Sequence, residues 1–342
     1  MSTLKSLDWK KGILRWEAAL ILILVLEIII FGSINPRFLK VPVLLGSIND
    51  YISICIIALF ATIVMITGGI DISGGAIVGL TSMVLGLLWQ DAGLNIWAAM
   101  GLCLVTGILC GALNGFLVSY VGVQAMVVTL GGLFLYSGLA VVLSTLSVSS
   151  AYEGISGFPE AFIRIAGGKV FGIVPNPFVI FIILTVIAYI LLHKSRFGRY
   201  VFLVGVNPNA AGFSGINYKL VAMFTYIFSG LAASVAGVVL TSYLGSCRAD
   251  LGSGLTMPIV TAVVLGGTAI TGGKGSIAGT ALAAIVIGLL RFGLQMSGMS
   301  TQYLDIPVGL LLIVAVAARG AGVYMHRIQY SSKKEKSCQT ET

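Results

Sequence analysis

Apolar runs of eighteen or more residues recur from one end of this chain to the other. At about 1.5 Å per helical residue, such a run crosses a hydrocarbon layer about 30 Å thick. A soluble domain needs helices with one polar face, and most of these runs are apolar all round. Only 9% of the 342 residues are charged against 58% hydrophobic, too few to solvate a chain of this length. The 44 glycines fit the same reading, because small residues let membrane helices approach closely. The fold class is therefore all-α: a polytopic helical membrane protein of about ten crossings.

Those crossings fall at about 16–34, 50–67, 75–90, 96–120, 125–144, 178–194, 220–244, 256–270, 275–296 and 304–320. Some are short for a perpendicular crossing, which leaves room for broken or re-entrant helices, with spans two and eight in question. The positive-inside rule sets the orientation. With both ends cytoplasmic, fourteen Lys and Arg fall inside, among them Lys10, Lys11, Lys194, Arg199 and Lys274. Five fall outside (Arg37, Lys40, Arg164, Lys169 and Arg248), and Arg291 lies within a span. The chain then divides into a cytoplasmic segment at 1–15, a membrane domain at 16–320 and a cytoplasmic tail at 321–342. The loop at about 145–177 is external and the loop at about 195–219 is cytoplasmic. No small-x-small cleavage site follows the first run, so it reads as a retained span.

Two stretches share the pattern GG-x-x-I-[ST]-GG: GGIDISGG, Gly68 to Gly75, and GGTAITGG, Gly266 to Gly273. Each follows a Val/Ile-rich span and precedes a Gly/Ala-rich one, a pattern that suggests the weak internal repeat common among transporters. Paired glycines interrupt a helix, and interrupted backbone survives at membrane depth only inside protein or against an aqueous path. This makes Gly68, Gly69, Asp71, Ser73, Gly74, Gly266, Gly267, Thr271, Gly272 and Gly273 candidates for a translocation path or gate. Asp71 has two readings, a cap for the following helix or a direct part in transport. The second copy has Ala269 at the equivalent place, so the symmetry does not require a charge. Glu27 is a second isolated carboxylate within a span.

The chemistry of an enzyme is missing. Two histidines, His193 and His326, lie at span ends, and neither HExxH nor a Cys/His cluster offers metal spacing. The five cysteines form no CxxC pair and most lie inside apolar runs, where cysteine packs as a small residue. GGKGS, Gly272 to Ser276, is not a phosphate loop, because Gly275 separates the lysine from the serine that would reach magnesium. No cofactor and no catalytic residue is expected, and the net charge of +8 is explained by membrane orientation without nucleic acid.

The segment SRFGRYVFLVGVNPNAAGFSGIN, Ser195 to Asn217, resembles the cytoplasmic loop of permease subunits from ribose-type bacterial ABC importers. The matching residues are Gly198, Arg199, Gly205, Asn207, Ala210, Ala211, Gly215 and Ile216. GGIDISGGA, the stretch Val263 to Ser276 and NPRFL (Asn35 to Leu39) are similar to further motifs of that family, in the same order over about residues 17–320. Ser73 is followed by Gly74 and Gly75, where many ribose-type permeases have V-G-S. YEGISGFPEAF, SYLGSCRADLGSG and MPIVTAVVLGG are more similar to the branch that imports autoinducer-2.

The resemblance implies a permease subunit that forms half of a pore with a related permease as heterodimer, worked by two separate ATPase subunits. A periplasmic binding protein would deliver a small polyhydroxylated substrate, autoinducer-2 or, as the alternative, ribose or another pentose. Delivery would fall near Glu153, Glu160, Arg248 and Asp250, charges that equally suit a solvated surface. The loop would form a short coupling helix docked on an ATPase. Its residues suit that: Asn207 is a good cap, Pro208 fits a first helical turn, and Ala210 and Ala211 are strong helix formers. A proton-coupled sugar transporter and a non-transporting scaffold are the other classes left open.

Overall fold

A computed structural model describes residues 2–147, 154–314 and 317, and the side chains from Trp16 onward. The tail at 321–342 and Glu153 lie outside the described residues. In chain order the helices are α1 Ser2–Ile34, α2 Val41–Ile66, α3 Gly74–Gln90, α4 Ile96–Phe116, α5 Ala125–Leu146, α6 Glu160–Gly167 and α7 Asn176–Tyr189. There follow α8 Arg196–Val206, α9 Pro208–Phe213, α10 Tyr218–Leu244, α11 Thr256–Leu265 and α12 Ile277–Met296, then a last helix, α13, at Thr301–Val314. Seven helices are long and apolar enough to cross a membrane, and α3, α11 and α13 are shorter apolar helices. Each expected span therefore has a helix. The segment before residue 16 is helical and continuous with α1.

The centre of the bundle is α2. Every residue from Tyr51 to Ile66 is buried, while α1, α5 and α7 leave most of their surface uncovered by the rest of the chain. An all-round apolar sequence is what a helix surrounded by α7, α10, α11 and α12 requires. The closest pair is α4 with α10. Gly107, Gly111 and Gly115 recur every fourth residue along α4, and side chains there would collide with Gly230, Tyr226 and Met223 of α10. Small residues on one helical stripe bring the two backbones together where hydrophobic burial gives no preference for protein over lipid. Hydroxyl pairs fasten other contacts: Thr62 with Thr280 and Ser82 with Thr241, at 2.8 and 2.7 Å.

Between α5 and α7 the described residues form short paired strands and the helix α6. Strand β1, Ile155–Ser156, pairs antiparallel with Ser246–Cys247, and Lys169–Val170 pairs with Val174–Pro175. The Ser242 hydroxyl accepts from the Ala166 N–H and donates to the Phe162 carbonyl, which holds α6 on the end of α10. Glu160 pairs with Arg164 and Arg248 with Asp250, so these charges are matched among themselves. Arg291, left unassigned by the sequence, pairs with Asp305 at 2.7 Å.

Span eight needs correction. Its helix stops at Leu265 rather than running to 270, and α11 is only about 15 Å long at ten residues. Span two is continuous and starts earlier, at Val41.

Candidate functional site

The first glycine motif is a break in the membrane domain. Two bonds end α2: Gly68 N–H to the Met65 carbonyl and Gly69 N–H to the Val64 carbonyl, at 2.9 and 3.2 Å. Gly68 has φ +86, the left-handed conformation that such a helix end needs and glycine adopts freely. The second motif ends α11 in the same way, with Gly267 N–H on Val264, Thr268 N–H on Val263 and φ +100 at Gly267. The repeat is therefore real at the helix ends but offset by one residue. Gly68 corresponds to Gly267, not to Gly266 as the aligned pattern suggests.

After Gly69 the chain runs without helix to Ser73, and Asp71 lies deep in the bundle. One carboxylate oxygen accepts the N–H and the hydroxyl of Ser73, at 3.0 and 2.7 Å, and the other accepts the Ser229 hydroxyl at 2.7 Å. Ser229 is the twelfth residue of α10, about 16 Å from its start, so the carboxylate sits beside the middle of that helix. Ser73 also accepts from Asn114 at 2.9 Å, and the Asn114 carbonyl oxygen accepts from Tyr136 at 2.8 Å. Ser73 is the N-cap of α3 and makes no side-chain bond to its first turn. Asp71 thus fastens the residue ahead of α3 to α10 and does not cap the first turn, the simpler of its two sequence readings.

Two helix N-termini meet at this point. The Thr256 hydroxyl, at the start of α11, donates to the Ile72 carbonyl at 3.3 Å, and Gly75 in α3 lies against the Gly252 carbonyl. From there α3 runs past Ala249 toward Cys247, while α11 runs the other way to Leu265. The N-terminal ends of α3 and α11 therefore both lie at the break that holds Asp71, and the positive end of a helix dipole favours a carboxylate nearby.

The three glycine-bearing segments meet in a backbone junction. Gly273 N–H donates to the Ile66 carbonyl at 2.8 Å. A Cβ on Gly205 would fall on that same carbonyl and within 2.6 Å of the Gly273 nitrogen. Gly272 lies against Gly205 and Gly68, and Val206 covers Gly273. The end of α8 is thereby locked to the end of α2, five residues before Asp71. Thr271 and Gly266 flank this contact; Thr271 is exposed and Gly266 packs on Thr280 of α12.

From that junction hangs α9. The Asn207 side chain accepts from the N–H groups of Asn209 and Ala210, at 3.0 and 3.1 Å, with Pro208 in the first turn, as these residue types predict. Ser195 caps α8 through Gly198 N–H, and Gly198 packs on the Leu192 carbonyl. Ala211 is buried and Ile216 half-buried, while Asn207, Pro208 and Ala210 are exposed; Gly215 turns the chain with φ +80. Arg199, Arg196, Lys194 and Lys274 are exposed around this end and form no ion pair among the described residues.

Residues 43–316 match the family described as the branched-chain amino acid transport system / permease component. The chain belongs to that family. The permease is also 45% identical over 311 residues to the autoinducer 2 import system permease protein LsrD of Klebsiella pneumoniae, covering 91% of this chain and 93% of that one. The corresponding protein of Escherichia coli K12 is 45% identical over 314 residues, 92% of this chain and 94% of its relative. No solved structure matches the chain. With its apolar helices, membership of this family makes the chain a multi-pass inner-membrane permease.

Sequence reasoning missed five residues of the permease that the structure brings to these places. Ser229, Asn114, Tyr136 and Tyr226 surround the break but lie in three distant helices with no motif around them. Phe213, at the end of α9, is 95% exposed. Its place at the end of a capped six-residue helix outside the spans is the one sequence signal that sets it apart.

Proposed function

We propose that this chain is the transmembrane subunit of an ATP-driven ABC importer that carries autoinducer-2, a small polyhydroxylated molecule, across the inner membrane. The two relatives named above support the substrate, and the departure at Ser73-Gly74-Gly75 weighs against simple ribose specificity. The subunit forms half of a pore with a related permease, both termini facing the cytoplasm. Two ATPase subunits work the pair, and a periplasmic binding protein loads it. ATP binding pulls on α8 and α9, and the pull reaches α2 and the break around Asp71 through the Gly205 junction.

The observation that carries this reading is the backbone lock of Gly205 against Ile66 and Gly273. It gives an exposed, capped helix a rigid path to an interrupted membrane segment. The uncompensated basic residues around α9 suit a partner cleft rimmed with carboxylates. The test is uptake by proteoliposomes holding this chain, its partner permease, the ATPase and the binding protein. ATP-dependent entry of autoinducer-2 that requires this chain is the expected result. Entry of ribose alone would keep the importer and discard the substrate, and entry driven by a proton gradient without ATP would overturn the reading.

A further inference from the structure

The break around Asp71 has hydrogen-bonding capacity of one kind left over. Its carbonyls at Ile70 and Ile72 are occupied: Ile70 accepts from the Thr129 hydroxyl at 3.0 Å, and Ile72 accepts from Thr256 at 3.3 Å. Its donors are not. The backbone N–H groups of Ile70, Asp71 and Ile72 donate to nothing among the described residues. All three residues are half-buried, so this segment keeps some accessible surface beside the middle of α10.

A fourth donor points at the same segment. Tyr226 is 1% exposed and its hydroxyl has no partner among the described residues. That oxygen sits where a side chain on Gly69 would be, so the phenol is aimed at the break. Buried hydroxyls and amides are nearly always paired, so four unmatched donors converging on one interrupted segment call for a partner from outside the chain. One acceptor also remains. The Asp71 carboxylate offers about four lone-pair sites and receives three bonds, two from Ser73 and one from Ser229.

We propose that the Ile70–Ile72 break, with Tyr226, is a hydroxyl-binding station for a neutral polyhydroxylated molecule on its way through the membrane. The N–H groups and the phenol donate to the oxygens of the molecule, and Asp71 accepts from one of its hydroxyls. A sugar-like hydroxyl both donates and accepts, so it matches this mixture, whereas an anionic analogue meets the Asp71 carboxylate and is disfavoured. The contacts are few and partly backbone, which lets the molecule leave as readily as it enters. This station rests on the transport reading above and gives that reading its contact residues.

The decisive variant is Tyr226→Phe. The hydroxyl has no protein partner to lose, so a purely structural role predicts a complex at least as heat-stable as the wild type with unchanged transport. The station predicts the same stability but about fivefold less autoinducer-2 uptake per assembled complex, as for one lost neutral hydrogen bond. ATP hydrolysis stimulated by the loaded binding protein is retained, so the ATP used per molecule moved rises about fivefold. A second measurement needs no substitution: hydrogen exchange of residues 68–74 in the wild-type complex. Autoinducer-2 delivered by the binding protein should slow exchange there by at least threefold. Wild-type uptake with an unaffected Tyr226→Phe, or exchange indifferent to autoinducer-2, would overturn the station alone. A wild-type complex that moves no autoinducer-2 would overturn the transport reading and the station with it.

Discussion

Gly205→Ala is the sharpest probe of the junction. The added methyl would fall on the Ile66 carbonyl, which already accepts the Gly273 N–H, and would approach the Gly273 nitrogen within 2.6 Å. The nearest atoms in its way are all backbone, so no side chain can swing aside. Overpacking of this kind costs about 1–3 kcal/mol. Separating Ile66 from Gly273 removes a hydrogen bond worth about 1 kcal/mol. Against this, alanine is about 1 kcal/mol better than glycine within a helix such as α8. The net is about 1–3 kcal/mol against the locked arrangement, a factor of roughly 5 to 150 in its population. In proteoliposomes the variant should hydrolyse ATP with the ATPase subunits yet import about tenfold less, because α8 and α9 still dock but no longer pull α2. Its melting temperature should fall by a few degrees, since the rest of the bundle is untouched. Gly205→Ala with wild-type uptake and wild-type melting would refute the claim that this contact carries the coupling.

Three further outcomes follow from the same geometry. Tyr136→Phe removes a hydroxyl bonded to Asn114 and to the Cys110 carbonyl, and should lower stability by about 1–3 kcal/mol in thermal unfolding of the purified chain. Phe213→Ala removes a ring that is almost wholly exposed, so melting should be unchanged while affinity for the ATPase, measured by titration of the reconstituted permease pair, drops about tenfold or more. Gly215→Trp has open space around it but a φ of +80, so it should cost about 1–2 kcal/mol locally and reduce import without preventing membrane insertion; import at the wild-type rate would count against docking through this loop.

The membrane class and the approximate place of each span were legible because they depend on length and local composition. An apolar run of about twenty residues has few ways to satisfy its backbone in lipid, and helix is the simplest. The cap at Asn207 and Pro208 was legible for a similar reason, since its bonds join residues no more than three apart. The glycine pairs announced interruptions but not their geometry. Aligning the two motifs by sequence puts Gly266 opposite Gly68, whereas the helix ends pair Gly267 with Gly68. A helix end is set by where its last carbonyls find donors, and no pattern of glycines encodes that by itself.

The order of residues thus settles that the chain lies in a membrane, where its helices run, and which short segments interrupt them. It leaves open what the interruptions touch. Ser229, Tyr226, Asn114 and Tyr136 are ordinary residues of apolar helices. Asn114 and Ser229 lie 41 and 158 positions from Ser73 and Asp71, the residues of the break that they bond. Packing alone decided that Asp71 would meet Ser229 beside two helix N-termini, and that Gly205 would lock onto Ile66. These are contacts between surfaces of different helices, fixed by how closely the glycine stripes let those helices approach. A single segment carries no record of its neighbour's shape.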